Sequence, residues 1–284
     1  MKIVHRIGLR STAVQRKELV SLGIELAAGP GGGETALIAF DVEETHPHWA
    51  ELFALFQKWN VSDVSWSEFS NEEIQAARWL TLLAAWHHGY PQPDQGSFGY
   101  LTATYDLAEY CSECGTGLKQ KAPFQMKAEP VWGHKSVLQL NWIFDEYFVK
   151  PEVWQSVFAP FGVECRPVTN IAGAELSTVV QIVVNQQSAI VADDLPYKKC
   201  IKCARVKYVP VTRGQFPRLL HEPNAHMVKT TQYFGSGRSA FRQVIVSQEI
   251  SRALASGKIR GYSVCPVAPS MADPRVAADF LGLD

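Results

Sequence analysis

Tyr110-Cys111-Ser112-Glu113-Cys114-Gly115-Thr116-Gly117 and Lys199-Cys200-Ile201-Lys202-Cys203 decide how this chain is read. Two cysteines separated by two residues can turn both thiolates onto one ion, and a glycine after the second permits the left-handed turn of a zinc knuckle. A tetrahedral site of four thiolates needs two such knuckles, and this chain has two, with 85 residues between Cys114 and Cys200. A hairpin is expected over residues 118–127 after the first knuckle, and a strand over 204–211 after the second. Knuckle and strand, twice over, is the plan of a zinc ribbon, here interrupted by an insertion at about 133–195. Insertion is tolerated because loop-closure entropy rises only logarithmically with length. The expected ligands are therefore Cys111, Cys114, Cys200 and Cys203, around a structural Zn²⁺.

A redox use of either pair would place its first cysteine at a helix N-terminus, where the dipole lowers the thiol pKa. Gly115 and Gly117 argue against a helix after the first pair, and Arg205-Val206-Lys207-Tyr208-Val209 reads as strand after the second. A catalytic zinc would need an open coordination position, which four thiolates do not leave. Cys165 and Cys265 stand alone among strand-like residues and read as buried structural cysteines.

Working outward, residues 2–9 form a β-rich run, 12–22 an amphipathic helix ending at Gly23, and 36–42 a strand. Between them Gly29 to Gly33 reads as a hairpin loop, lacking the Lys-Ser/Thr of a phosphate loop. A helix over 46–59 and an alternating strand over 61–69 follow. Ser70 can cap a long helix from Asn71 to about His88, with Glu72 and Glu73 in its first turn and His87-His88 at its C-terminal dipole. The stretch Gly89-Tyr90-Pro91-Gln92-Pro93 then marks a boundary. The expected organisation is a 1–90 N-terminal α/β module and a 91–284 strand-rich domain holding the ribbon, α+β in class. Further strands are expected at 96–103, 136–144, 162–167, 177–184, 228–233, 241–246 and 259–267. Short helices are expected at 151–158, opening on Pro151, and at 248–255, capped by Ser247 and stopped by Gly257.

The 284 residues are 46% hydrophobic and 19% charged, which excludes disorder, collagen and coiled coil. No run of about 20 apolar residues could cross a membrane, and Arg6 and Arg10 interrupt any secretory core, so a cytoplasmic chain without a membrane partner is expected. Charge is uneven. Residues 34–114 carry 13 acidic groups against Lys58 and Arg78, whereas residues 195–260 carry 13 basic groups against Glu222 and Glu249. Such asymmetry reads either as mutual compensation and solvation, or as a surface for a charged partner.

Other motifs carry less. His221-Glu222-Pro223-Asn224-Ala225-His226 places its histidines five apart across a proline, so it is not the zinc-protease motif. In Phe234-Gly235-Ser236-Gly237-Arg238-Ser239, glycines beside Arg238 could expose amides to an anion, or simply turn the chain between two strands. No Ser-His-Asp set or acidic pair assembles from spacing.

The two CxxC pairs, the Cys114-Gly115 step, Tyr233-Phe234-Gly235-Ser236-Gly237, Val244-Ile245-Val246-Ser247, Gly261-Tyr262 and Pro266-Val267 resemble the bacterial double-CXXCG motif family over roughly residues 105–267. The second pair departs from the pattern, continuing Cys203-Ala204 without the glycine. The resemblance implies zinc on Cys111, Cys114, Cys200 and Cys203, supplies no catalytic residue, and associates the chain with toxin–immunity loci, whose members of this family are taken to be the immunity proteins. Three functions follow as expectations: a zinc-stabilised protein-binding module such as an immunity protein against a toxin; a nucleic-acid binder using Lys198, Lys199, Lys202, Arg205 and Lys207 beside Tyr197 and Tyr208; and an enzyme whose site the sequence does not announce. The first is favoured.

Overall fold

The computed structural model describes residues 1–26, 34–94 and 98–269, so the expected loop at Gly29–33 lies outside the described residues. The chain forms two units, Met1–Glu73 with Val211–Gln215, and Ile74–Pro210 with Phe216–Asp284.

In the first unit β1 (Lys2–Thr12) lies between β2 (Thr35–Glu43) and β3 (Ser62–Glu68), antiparallel to both. Helix α1 (Ala13–Ser21) starts at a capping box in which Thr12 and Gln15 satisfy each other's amides. Helix α2 (Trp49–Trp59) buries Leu52 and Phe56, four apart on one face. With Ile7, Leu19, Ile38, Phe40 and Val42 they form the core of this unit. These elements match the sequence expectation to within three residues.

The acidic stretch is partly compensated inside the unit. Lys2 reaches Glu43 at 2.8 Å, Arg6 reaches Asp41 at 3.2 Å, and Arg213 pairs with Glu44 at 2.5 Å. Buried His5 sits between Asp63 (2.9 Å) and Glu44 (3.0 Å). Compensation thus comes from residues that lie outside the acidic window in sequence.

The long helix expected from Asn71 to His88 is corrected. Ser70 does cap, its Oγ accepting from the Glu73 amide at 3.2 Å while Glu73 Oε2 accepts from the Ser70 amide at 2.8 Å. But α3 (Asn71–Ala76) stops after six residues, and Trp79–Ala84 is a strand, β4. Trp79, Leu80, Thr81 and Leu82 are all buried. A short apolar run buried on both faces cannot be told from a buried helix by periodicity. His87 and His88 consequently cap nothing; the His88 amide donates to Gln139 O instead. The boundary falls near residue 73, not 90, because β4 is an interior strand of the second unit.

The second unit is built on two five-stranded sheets. Its remaining elements are α4 (Gly99–Thr104), β5 (Tyr105–Asp106), β6 (Lys119–Gln120), β7 (Gln125–Met126), β8 (Val137–Leu138), β9 (Phe148–Val149), α5 (Pro151–Val153) continued by a π-helical segment (Trp154–Phe158) and a 3-10 turn (Ala159–Phe161), β10 (Glu164–Asn170), β11 (Glu175–Val183), β12 (Gln187–Ser188), β13 (Tyr197–Lys199), β14 (Val206–Tyr208), β15 (Met227–Thr230), β16 (Tyr233–Phe234), β17 (Val244–Ser247), α6 (Gln248–Ser256) and β18 (Tyr262–Pro266). The sheets run β7-β10-β11-β9-β8 and β12-β15-β17-β4-β18. Leu80, Leu82, Val149, Phe158, Ile182, Val246 and Leu254 share one core between elements of both sheets.

Three further expectations change. Residues 99–104 are helical because Tyr100 and Thr104 are buried while Thr102 is exposed, a helical burial period. The strand expected over 136–144 shortens to β8, since Trp142 takes φ +69° and turns the chain. The 133–195 segment is not a separate insertion, because its β10 pairs with β7 from outside it, and Phe124 and Met126 share a core with Leu138, Phe148 and Val168.

Helix α6 behaves as expected. Ser247 Oγ accepts from the Ile250 amide at 3.5 Å, Glu249 lies in the first turn, and Ile250 and Leu254 are buried. Ser247 is itself buried, with an extended, unstrained backbone. Ser247→Ala should cost about 1 kcal/mol in urea unfolding. A loss near zero would mean that the cap contributes nothing, and full stability with altered function would make the serine chemical.

Candidate metal centre

Each cysteine pair sits at the tip of a small antiparallel hairpin. β5 pairs with β6 around the first, and β13 pairs with β14 around the second. This corrects the hairpin expected over 118–127: β6 pairs back across the knuckle, while β7 joins β10 in parallel. The reason is local, since the turn at Cys111–Gly115 already reverses the chain.

The two tips are built alike. The Gly115 amide donates to Cys111 O at 2.8 Å and the Cys111 amide to Thr116 O at 2.9 Å. In the second tip the Ala204 amide donates to Cys200 O at 2.9 Å and the Cys200 amide to Arg205 O at 2.9 Å. Gly115 has φ +80° and Ala204 φ +59°, so the alanine adopts the left-handed turn that glycine makes in the first.

The hairpins bring Cys111, Cys114, Cys200 and Cys203 together, with all four Sγ atoms within 4.8 Å of one another. Cys111 Sγ lies 3.8 Å from Cys200 Sγ, and Cys114 Sγ 3.6 Å from Cys203 Sγ. The arrangement can hold a metal ion. Amides of Cys114 and Glu113 hold the Cys111 thiol down to about 6, and amides of Cys203 and Lys202 lower that of Cys200. Burial pushes Cys114 the other way, up to about 11, against a hydrogen bond with Thr116 Oγ1 at 3.1 Å. The turn amides thus favour the thiolate at the first cysteine of each pair, while burial disfavours it at Cys114.

Arg205 and Lys207 weld the two tips. Arg205 Nη1 donates to Glu109 O at 2.6 Å and to Thr116 O at 3.4 Å. Lys207 is buried, its Nζ donating to the carbonyls of Cys114 (2.8 Å), Gly237 (2.7 Å) and Ser239 (2.9 Å). A Cβ on Gly115 would fall on the carbonyl oxygen of Arg238. The glycine loop after β16 therefore packs on the first knuckle, and β16 pairs in parallel with β14. Arg238 is exposed there, and it is the loop's backbone that touches the centre.

Two of the five basic residues expected to face a nucleic acid, Arg205 and Lys207, are thus spent inside the protein. Lys198, Lys199, Lys202 and Tyr197 remain exposed around the tip residue Ile201. Cys165, opposite Ile182 in β10, and Cys265, opposite Thr81 in β18, lie outside the cluster, and burial raises both thiols. His226 belongs to no helix; its Nδ1 is 2.9 Å from Ser247 Oγ. Lys207 was legible as a strand residue, whereas Arg205, expected in the same strand, stands just before β14; neither was legible as a brace, because their acceptors are backbone carbonyls distant in sequence.

No helix among the described residues is long and apolar enough to cross a membrane. Compared with known families and curated proteins, the chain matches no family model and no curated sequence.

Proposed function

We propose that Cys111, Cys114, Cys200 and Cys203 hold one structural zinc ion in an interrupted ribbon, and that the chain is a zinc-stabilised protein-binding module of the immunity type. The sulfur geometry carries the metal half. A tetrahedral ion with Zn–S bonds of ~2.3 Å sets its sulfurs about 3.8 Å apart, and two cross-hairpin pairs stand at 3.8 and 3.6 Å. Four thiolates fill the shell, so the ion would brace two hairpins and leave no position for a reacting water. The turn amides that lower the Cys111 and Cys200 thiols favour ion binding, and the ion's charge would ionise Cys114.

The protein-binding half rests on the family resemblance and on what the chain presents. Leu37 (79% exposed) and Val64 (62%) project from the first unit, and Ile201 is fully exposed at the second knuckle tip. Exposed apolar residues ringed by charge suit a protein partner, with the charges guiding encounter. The nucleic-acid reading keeps only three of its five cations. Two measurements test the proposal: metal analysis of the purified chain, expected to give about one zinc per chain, and size-exclusion of the chain with the product of the neighbouring gene, expected to give a stable complex. A metal-free chain with four reactive thiols in the two pairs overturns the first half. No complex, with salt-sensitive retention of nucleic acid on a filter instead, overturns the second.

A further inference from the structure

Beside the first knuckle the second unit holds a cavity of about 290 Å³. An ion pair lies within its lining: Lys229 Nζ is 2.5 Å from Glu146 Oε1, and each side chain is 11% exposed. Gln181 Nε2 donates to Glu146 Oε2 at 3.0 Å and exchanges hydrogen bonds with Gln120. Removing two charges from water costs at least about what their attraction returns, so fold stability alone gives no reason for the pair.

Two arginines share the lining. Arg166 in β10 is the register partner of Gln181 in β11, which puts both side chains on one face of the sheet. Arg242 lies over the Tyr233 ring, 4.5 Å from its centre, and its Nη2 donates to Tyr233 Oη at 2.9 Å. Among the described residues neither guanidinium has a carboxylate within ion-pair distance, and Arg242 Nε is buried without an acceptor. Asp145, the nearby carboxylate, accepts from the Arg242 backbone amide at 3.2 Å. Lys119 is engaged by Glu109 at 2.7 Å.

The lining is also aromatic, and it is strained. Trp142 holds φ +69° while 48% exposed, an unusual conformation for so bulky a residue. Its ring is 4.4 Å from Tyr90 and stacks on Tyr100 at 6.2 Å. Such strain gathers at ligand sites, where the surroundings over-determine the backbone.

We propose that this cavity binds a small molecule with an aromatic ring and a carboxylate or phosphate, the oxyanion on Arg166 and Arg242 and the ring against Trp142. Guanidinium forks suit either oxyanion, and the buried Lys229–Glu146 pair is already neutral and makes no claim on it. The volume is that of a small ligand site. The site stands apart from the protein-binding reading, since none of the four clustered cysteines lines it.

The test titrates the 284-residue, metal-loaded chain at constant ionic strength with phenylphosphate, 3-phenylpropionate and inorganic phosphate, by calorimetry and tryptophan fluorescence. Saturable binding of phenylphosphate or 3-phenylpropionate is expected, and which of the two binds identifies the oxyanion. Arg166→Gln and Arg242→Gln should each raise Kd about tenfold or more, the loss of one charge-assisted contact. Arg252→Gln, on the exposed side of α6, should leave it unchanged. If Arg242→Gln does not fold, Arg166→Gln with native circular dichroism carries the test. No saturation by roughly 10 mM of either aromatic probe, or undiminished binding in the arginine variants, overturns the proposal. Inorganic phosphate binding as tightly as phenylphosphate overturns the aromatic part. Zinc content and partner complex are read separately, so their failure is distinguishable from failure here.

Discussion

Chelation will melt the second unit and spare the first. The first unit has its own core of Ile7, Leu19, Phe40, Leu52 and Phe56, and no residue of the cysteine cluster. In the second unit the centre joins two hairpins whose strands are only two or three residues long. Strands that short do not hold themselves together in water. On the zinc reading their cohesion would come from the ion, together with Lys207, Arg205 and the pairing of β14 with β16. Binding energy of a structural zinc is folding energy, on the order of 10 kcal/mol at neutral pH for small zinc modules. Much of that should vanish with the metal. Cys200→Ser should act alike, leaving three ligands and a hydroxyl. In calorimetry the two-unit chain should show two transitions, and EDTA or Cys200→Ser should move only one of them to lower temperature. Unchanged melting after complete metal removal would sink the structural role of the ion.

What could be read from the sequence divides along a physical line. The first-unit elements, the Ser70 and Ser247 caps and the two knuckles rest on residues near one another in sequence, and these were legible. Strand β4 was not, because Trp79-Leu80-Thr81-Leu82-Leu83 gains strand identity only from β17 and β18, more than 160 residues away. The same holds for Lys207. On the sequence it is one more cation in a basic stretch, and only the folded chain shows its three carbonyl acceptors. The cavity was illegible for a related reason: Glu146, Arg166, Lys229 and Arg242 come from four separate segments and form no spacing motif. The acidic window misled in part, since the compensating groups Lys2, Arg6 and Arg213 lie beyond its ends.

Adding a methyl group to the first knuckle turn and removing one from the second separates the two tips, and the contrast is the sharper trial of the centre's architecture. Both turns use a left-handed residue after the second cysteine, Gly115 at φ +80° and Ala204 at φ +59°. Gly115→Ala meets two penalties. The left-handed backbone itself costs an L-residue roughly 1–2 kcal/mol. The new Cβ would also overlap the Arg238 carbonyl, which is backbone and cannot rotate away; overpacking of that kind adds roughly 1–3 kcal/mol. The Arg238 loop must then retreat, pulling the Gly237 and Ser239 carbonyls from Lys207 and loosening the tip that carries Cys111 and Cys114. A total loss of roughly 2–5 kcal/mol follows in urea unfolding of the zinc-loaded chain, together with faster zinc release to a chelating dye. Ala204→Gly runs the other way. It relieves the left-handed strain at that tip, and the greater freedom of glycine in the unfolded chain offsets part of the gain, leaving a stabilisation of up to about 1 kcal/mol. The two substitutions should therefore shift stability in opposite directions, by amounts that differ severalfold. Equal small effects from both would show that the Arg238 loop does not brace the first knuckle, and the glycine at 115 would then matter only for its own turn.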